Sequence, residues 1–241
     1  MQRILITGAN RGIGLELVRE YLAREDTLIF ATCRDPNHAT ALRELAAQSP
    51  GRVQILALDV TVRASIDAAL EQIGAQVDGL ELLYNNAGIY PDGVFPQASH
   101  SSSFGYLEAE AMLDVFRVNT VSAAIVTQAA ADLLRKGQAS RVVNLSSDAG
   151  SLAMHADGGN YSYPASKAGL NMITRCLAGD FRKDGVIVIS LHPGWIRTDM
   201  GGERATLALD EAVPSILRVI DGLTLADSGE FFNWDGTHVA W

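Results

Sequence analysis

The sequence predicts an α/β protein: one doubly wound parallel sheet of about seven strands with helices on both faces, in a single domain spanning 1–241. Three observations predict it. Short apolar runs alternate with segments of helical spacing along the whole chain, and repeated βαβ units imply right-handed crossovers. The first apolar run ends in a glycine-rich turn that leads into a helix. No internal repeat and no hydrophilic linker divides the chain.

The elements follow in order. Arg3–Thr7 is an apolar run suited to a strand buried on both faces. Ile13–Arg24 carries Ile13, Leu17, Val18, Tyr21 and Leu22 at helical spacing. Thr27–Cys33 is the second strand, and Pro36 opens a helix to about Gln48, since proline suits the first turn. Val53–Leu58 is the third strand, Arg63–Gly74 the third helix, and Leu80–Tyr84 the fourth strand. The turn-rich stretch Tyr90–Gly105 is too long for an ordinary connection and reads as a functional or mobile loop. Two helices cover about Tyr106–Arg135, and Arg141–Ser146 is the fifth strand. A polar loop with three glycines, Asp148–Asn160, precedes the long helix Tyr161–Phe181. Val186–Leu191, Glu211–Ile220 and Glu230–Asn233 complete the pattern as strand, helix and strand. In open sheets of this kind ligands bind at the carboxyl ends of the strands.

Composition narrows the function classes. Of 241 residues 48% are hydrophobic and 20% charged, which is ordinary globular composition. A net charge of −9 argues against nucleic acid or an anionic membrane as the main partner. Cys33 and Cys176 are the only cysteines; neither stands at metal-ligand spacing from a histidine, so no metal is expected. No apolar stretch reaches the ~18 residues of a membrane span. The N-terminus, MQRILITGANRGIG, meets its glycine turn too early for a signal peptide, so a cytoplasmic protein is expected.

The glycine turn is Thr7-Gly8-Ala9-Asn10-Arg11-Gly12-Ile13-Gly14. Gly8 allows a tight turn, Gly12 lets backbone approach a pyrophosphate, and Gly14 lets helix and strand pack closely. Alone, the loop also reads as a plain strand–helix connection. A ribose-binding acid is expected ~20 residues past the glycines for NAD. Cys33 and Arg34 stand there instead. Arg34 can clamp a 2′-phosphate with Arg11 as second donor, which favours NADP(H) over NAD(H); the alternative is a pair of solvated charges. Asp35 is the neighbouring acid that could still serve NAD(H). Asp59 and Val60 close the third strand where an adenine fits, although Asp59 also suits a helix cap. Asn86-Ala87-Gly88 closes the fourth strand with residues that are small or turn-forming.

Tyr163 and Lys167 form an i, i+4 pair on one helix face, after a strand that ends in Ser146-Ser147. A free tyrosine is a poor acid or base at neutral pH. A nearby ammonium stabilises its phenolate, so the pair reads as a tuned proton donor. Only one of the two serines can face the pair, because adjacent strand residues point to opposite faces.

Together Thr7–Gly14, Asn86-Ala87-Gly88, Asn119, Ser147, Tyr163-x-x-x-Lys167 and Pro193-Gly194 resemble the short-chain dehydrogenase/reductase family, in its order and over the full chain. The stretches from Pro193 to Gly202 and from Gly229 to Trp241 are similar to its carbonyl-reductase-like group, which includes sniffer and C-factor. The resemblance implies a Rossmann-type fold and interconversion of a carbonyl and an alcohol. It makes Tyr163 the general acid/base and Ser147, by motif register, the hydrogen-bond donor to the substrate oxygen. Lys167 is to lower the Tyr163 pKa and hold the nicotinamide ribose. Asn119 is to hold a relay water, and Ile196 and Thr198 are to fix the nicotinamide carboxamide. It further implies a homodimer or homotetramer through the helices 120–134 and 161–181. The gap from Ser147 to Tyr163 exceeds the family's usual spacing, and the extra residues fall in the Asp148–Asn160 loop. His155 reads as an exposed loop residue, His192 as structural, Cys176 as a packed small hydrophobe, and Trp195 as a lining of the substrate mouth or a loop anchor. The competing reading is a dinucleotide-binding signalling or scaffold protein with incidental catalysis. An epimerase or dehydratase is disfavoured by the absence of an added substrate domain.

Overall fold

The computed structural model describes residues 1–90, 100–155 and 158–241. The first half runs β1 (Gln2–Ile6), α1 (Gly12–Leu22), β2 (Thr27–Cys33), α2 (Thr40–Gln48), β3 (Val53–Ala57), α3 (Arg63–Gly74) and β4 (Leu82–Asn85). The second runs α4 (Ala109–Phe116), α5 (Ser122–Lys136), β5 (Arg141–Leu145), α6 (Ser162–Phe181), β6 (Ile187–His192), α7 (Leu209–Gly222) and β7 (Phe231–Asn233). The strands form one parallel sheet in the order β3-β2-β1-β4-β5-β6-β7. The order reverses between β1 and β4, which opens the ligand crevice there.

Alternation along each strand divides the core. Ile4, Ile6, Ile29 and Ala31 face α1, α2 and α7, where they meet Leu17, Val18, Leu42 and Ile216. Leu5, Leu28 and Phe30 face the other way, toward Ile66 and Leu70 of α3, Leu134 of α5 and Phe181 of α6. Both faces are covered, which is why these strands read as continuous apolar runs.

Two expectations are corrected and a third is refined. The helix expected over Pro36–Gln48 is a short 3₁₀ turn at Pro36–His38, a break at Ala39 (φ −85°, ψ 63°) and then α2. Asp35 explains the break: its carboxylate accepts from the Asn37 N–H at 3.0 Å, a local turn that competes with helix. The two helices expected over Tyr106–Arg135 are α4 and α5, joined without a loop by a π-helical turn at Arg117–Val121. Cys176 is exposed and does not pack. It lies two positions from the buried Thr174 and Ala178, about 200° around the helix, and so on the opposite face. Parts of the two long loops, 91–99 and 156–157, lie outside the described residues. Among the described residues no helix is long and apolar enough to cross a membrane, and no group of three or more His, Cys, Asp or Glu could hold a metal.

Candidate active site

The glycine turn leaves β1 at the switch point, and absent side chains shape it. Gly8 (φ +66°) and Gly12 (φ +55°) are both in the left-handed region. A Cβ on Gly8 would stand 3.0 Å from the Ala87 Cα. One on Gly14 would collide with the Gly8 carbonyl and stand 2.6 Å from the Asn86 amide nitrogen. Asn86 braces the turn: its Nδ2 donates to the Thr7 carbonyl at 2.8 Å and the Gly8 carbonyl at 2.9 Å. Thr7 completes the tie, donating from Oγ1 to the Tyr84 carbonyl and accepting from the Asn86 and Ala87 N–H groups. Sequence reasoning gave Thr7 no role; its position at the last residue before the first glycine was the available signal.

Asn10 is exposed, and Ile13 packs against the core. Arg11 is exposed and paired at 3.0 Å with Asp199, from the segment after β6. That segment also approaches the glycine turn at Gly12, where a Cβ would stand 3.5 Å from Thr198 Cγ2, and it lines a hollow of about 480 Å³ with Arg197, Thr198, Asp199, Gly202 and Glu203. Arg34 is exposed at the end of β2, close enough to Asp59 to help hold its carboxyl below the usual range, after the larger effect of the Thr61 hydroxyl. Asp35 is committed to its own turn by His38 and the Asn37 N–H. Asp59 accepts from the Thr61 N–H and hydroxyl, closing a turn ahead of α3, whose N-cap is Val62; it does not cap that helix. Val60 is buried beside Ile66.

The second half of the site is built from buried polar side chains. At the end of β5 the two serines diverge. Ser146 donates to Asn171 of α6 at 2.6 Å, whereas Ser147 lies beside the Tyr163 side chain, close enough to influence its hydroxyl. Tyr163 lies in the first turn of α6, and Lys167 follows one turn later, with Nζ 5.6 Å from the Tyr163 ring centre. Gly150 lets the loop after Ser147 lie against α6: a Cβ there would stand 2.7 Å from the Lys167 backbone. Asn119 sits in the π-helical turn, buried, and binds Ile89 in both directions. Its Nδ2 also donates to Ser166 at 3.1 Å, and Ser166 donates to the Tyr163 carbonyl. Gly88 lies beside this convergence: a Cβ there would make ordinary contact with Asn119 Oδ1 at 3.4 Å and Lys167 Nζ at 3.8 Å. Pro193 is buried, and Gly194 (φ +85°) turns the chain after β6. Ile196 is buried, Thr198 accepts from the Gly201 N–H, and Trp195 anchors the loop by donating to the Gly201 carbonyl.

The electrostatics differ from the expectation at one point. Burial is the largest influence on the Tyr163 hydroxyl and pushes its pKa up; Asp148 and Tyr90 add to this, and the Ser147 hydrogen bond opposes it. Burial lowers the Lys167 pKa to about 8, and its ammonium donates at 2.7 Å to the Leu145 carbonyl. Spacing placed the pair on one helix face, but it could not show that the ammonium points at backbone. Tyr90 and Asn160, also without an assigned role in the sequence, stand against Tyr163. The Tyr90 ring meets the Tyr163 ring edge-on at 5.0 Å, and Asn160 joins the Tyr90 hydroxyl to the Tyr163 N–H.

Comparison with known proteins identifies the family. The family model described as short chain dehydrogenase matches residues 2–207. The C-signal of Myxococcus xanthus is 41% identical over 162 residues, 67% of this chain and 93% of that protein. The NADPH-bound carbonyl reductase from chicken fatty liver superposes with a TM-score of 0.91 at 38% identity, covering 100% of this chain and 99% of that one. The carbonyl reductase Sniffer of D. melanogaster gives 0.92 at 34% identity, covering 100% of both chains. The chain belongs to the short-chain dehydrogenase/reductase family of oxidoreductases, in its carbonyl-reductase-like group.

Proposed function

We propose that this enzyme interconverts a carbonyl and an alcohol with NADP(H), with Tyr163 as general acid/base. The observation that carries the reading is the gathering of Ser147, Tyr163, Lys167 and Asn119 at one point beside the glycine turn. The residues fit the dinucleotide. Gly8 and Gly12, both at positive φ, turn the backbone into the start of α1, where a pyrophosphate suits the helix N-terminus, and Arg34 and Arg11, the latter paired with Asp199, are cations suited to a 2′-phosphate. Asp35, the acid that would serve NAD(H), is engaged elsewhere. The chicken relative is described with NADPH bound. Asn10, Ile13, Asp59, Val60, Asn86, Ala87, Gly88, Pro193, Gly194, Ile196 and Thr198 would complete the cofactor's surroundings. The bound cofactor supplies the hydride.

The chain's own residues handle the proton. In reduction Tyr163 donates its hydroxyl proton to the carbonyl oxygen as that oxygen gains charge. A raised pKa keeps the phenol protonated at neutral pH, and an alkoxide is basic enough to take the proton from it. Ser147 donates a hydrogen bond to the same oxygen. Lys167 would hold the nicotinamide ribose. Asn119 fixes the π-helical turn beside it and would hold the relay water that links Lys167 to solvent. A homodimer or homotetramer belongs to the same proposal: Val121 and Met172 are exposed next to and on the helices concerned, and sedimentation reads the outcome.

The test is NADPH oxidation by the purified protein with a panel of small aldehydes, ketones and quinones, each repeated with NADH. Tyr163→Phe is expected to lower turnover roughly 10²- to 10⁴-fold with NADPH affinity unchanged. Full activity in that variant removes Tyr163 from its role. The likeness to the C-signal favours a second reading, a dinucleotide-binding signalling protein on the same fold. No turnover across the panel together with intact NADPH binding would support it.

A further inference from the structure

The reading above uses Ser147 and Tyr163 and leaves two polar groups behind them unexplained. Asp148 follows Ser147 directly, and His192 is the last residue of β6. The Ser147 hydroxyl stands 3.1 Å from Asp148 Oδ1 and donates to it. The same carboxylate oxygen accepts the Ala149 N–H at 2.8 Å. His192 holds the turn from the neighbouring strand: its Nδ1 accepts the Asp148 N–H at 3.2 Å, and its Nε2 lies 3.6 Å from Asp148 Oδ2. Because Nδ1 accepts, the neutral ring carries its proton on Nε2, facing the carboxylate. Burial favours that neutral ring, while Asp148 and Asp235 pull the other way.

A serine hydroxyl has one proton. In this structure that proton is directed to Asp148, and the Ser147 oxygen accepts the Ala149 N–H at 3.2 Å. Stabilising a developing oxyanion requires the proton to swing from Asp148 to the substrate. A carboxylate accepts only and is a strong competitor for it. Its negative charge also opposes formation of the Tyr163 phenolate. Among the described residues, the other titratable or charged groups facing Tyr163 are Tyr90, from the segment after β4, and Lys167, on its own helix.

We propose that Asp148, held in place by His192, is a positioning residue that sets the hydrogen-bond polarity of Ser147 and, through it, the pH range in which Tyr163 exchanges its proton. The proposal rests on the roles of Ser147 and Tyr163 given above. Its consequence has a definite sign. Alcohol oxidation needs Tyr163 as a base, and a neighbouring anion delays that to higher pH. Reduction needs the protonated form, and the same anion preserves it to higher pH.

Asp148→Asn tests this, because the amide keeps an acceptor for Ala149 and removes the charge. Benzaldehyde reduction and benzyl alcohol oxidation, with NADPH and NADP⁺, are followed as kcat/KM against pH. In Asp148→Asn the rise of oxidation and the fall of reduction move to lower pH by about one unit. Asp148→Glu retains the charge and returns both limbs toward the wild-type position. A second readout needs no substrate: the ultraviolet tyrosinate signal, taken as the difference between each protein and its Tyr163→Phe counterpart, begins at lower pH in Asp148→Asn. Profiles and tyrosinate onset that superpose on the wild type, or an Asp148→Glu protein displaced as far as Asp148→Asn, overturn the proposal. If Tyr163→Phe is inactive and Asp148→Asn is unmoved, only this inference fails. If Tyr163→Phe keeps full turnover, the underlying reading fails and the inference with it.

Discussion

At the β1–α1 end of the crevice the chain makes room by leaving side chains out. At the β5–α6 end it fills the space with polar side chains and pairs them with one another. Gly8 and Gly14 are fenced by Ala87, Asn86 and backbone, so shape there is steric. Around Tyr163 the arrangement depends on donors and acceptors: Asn119 with Ile89 and Ser166, Lys167 with Leu145, and Ser147 with Asp148. Errors at the first end therefore act through packing. Errors at the second act through unpaired or displaced charge, which depends on pH.

The largest expected effect breaks the steric end. Gly14→Ala drives a methyl into the Gly8 carbonyl and the Asn86 amide, and is expected to cost about 3 kcal/mol or more while abolishing NADPH affinity. Urea unfolding and a fluorescence titration with NADPH read both losses. An unchanged unfolding midpoint would mean that the turn has slack.

The next effect belongs to the polar end. Lys167 titrates at about 8 in the folded protein against an ordinary 10.5, because burial disfavours its charge. Below about 8 both states carry the proton and the burial penalty is full. Between those values the unfolded chain binds more protons, so this residue's contribution makes stability rise with pH, by up to about 3 kcal/mol. The stability difference between wild type and Lys167→Met, measured against pH, is expected to show that slope. A flat difference would place the ammonium in water.

Smaller again is the cofactor choice. Arg34→Ala is expected to weaken NADPH binding about 10- to 100-fold with little change for NADH. Equal losses with both cofactors would remove the phosphate clamp. The smallest effect is a control within α6, the helix that carries Tyr163 and Lys167. Gly179 of α6 has nothing within 4 Å of an added Cβ, so Gly179→Ala is expected to stabilise by about 0.5–1 kcal/mol. The two glycine variants should thus move stability in opposite directions.

The contrast also explains what could be read in advance. Thr27–Cys33 and Arg63–Gly74 were legible to the residue, because two-sided burial and helical spacing are written locally. The glycine turn was legible because glycine marks backbone that other residues avoid. Ser147 could be preferred over Ser146 by motif register, and the opposite pointing of adjacent strand residues makes the structural distinction plain. The Pro36–Gln48 helix was misread because the Asp35 side chain outcompetes helix locally, and Cys176 because its helix face was not resolved by composition. Thr7, Tyr90, Asn160, Asp148 and His192 were not given their observed connections, since each acquires its partner from another part of the chain or from a turn whose geometry the sequence does not state.

By itself the sequence determined the alternating α/β plan, the sheet's two covered faces and the residue types at each strand end. These follow from periodicity and from the conformational rules of glycine, which act over a few neighbouring residues. Only the tertiary structure decided where the polar hydrogens point: Lys167 at the Leu145 carbonyl, Asn119 at Ile89, Ser147 at Asp148 with His192 behind it. A buried donor must find an acceptor wherever the fold brings one, and which acceptor is nearest is settled by packing across the sheet.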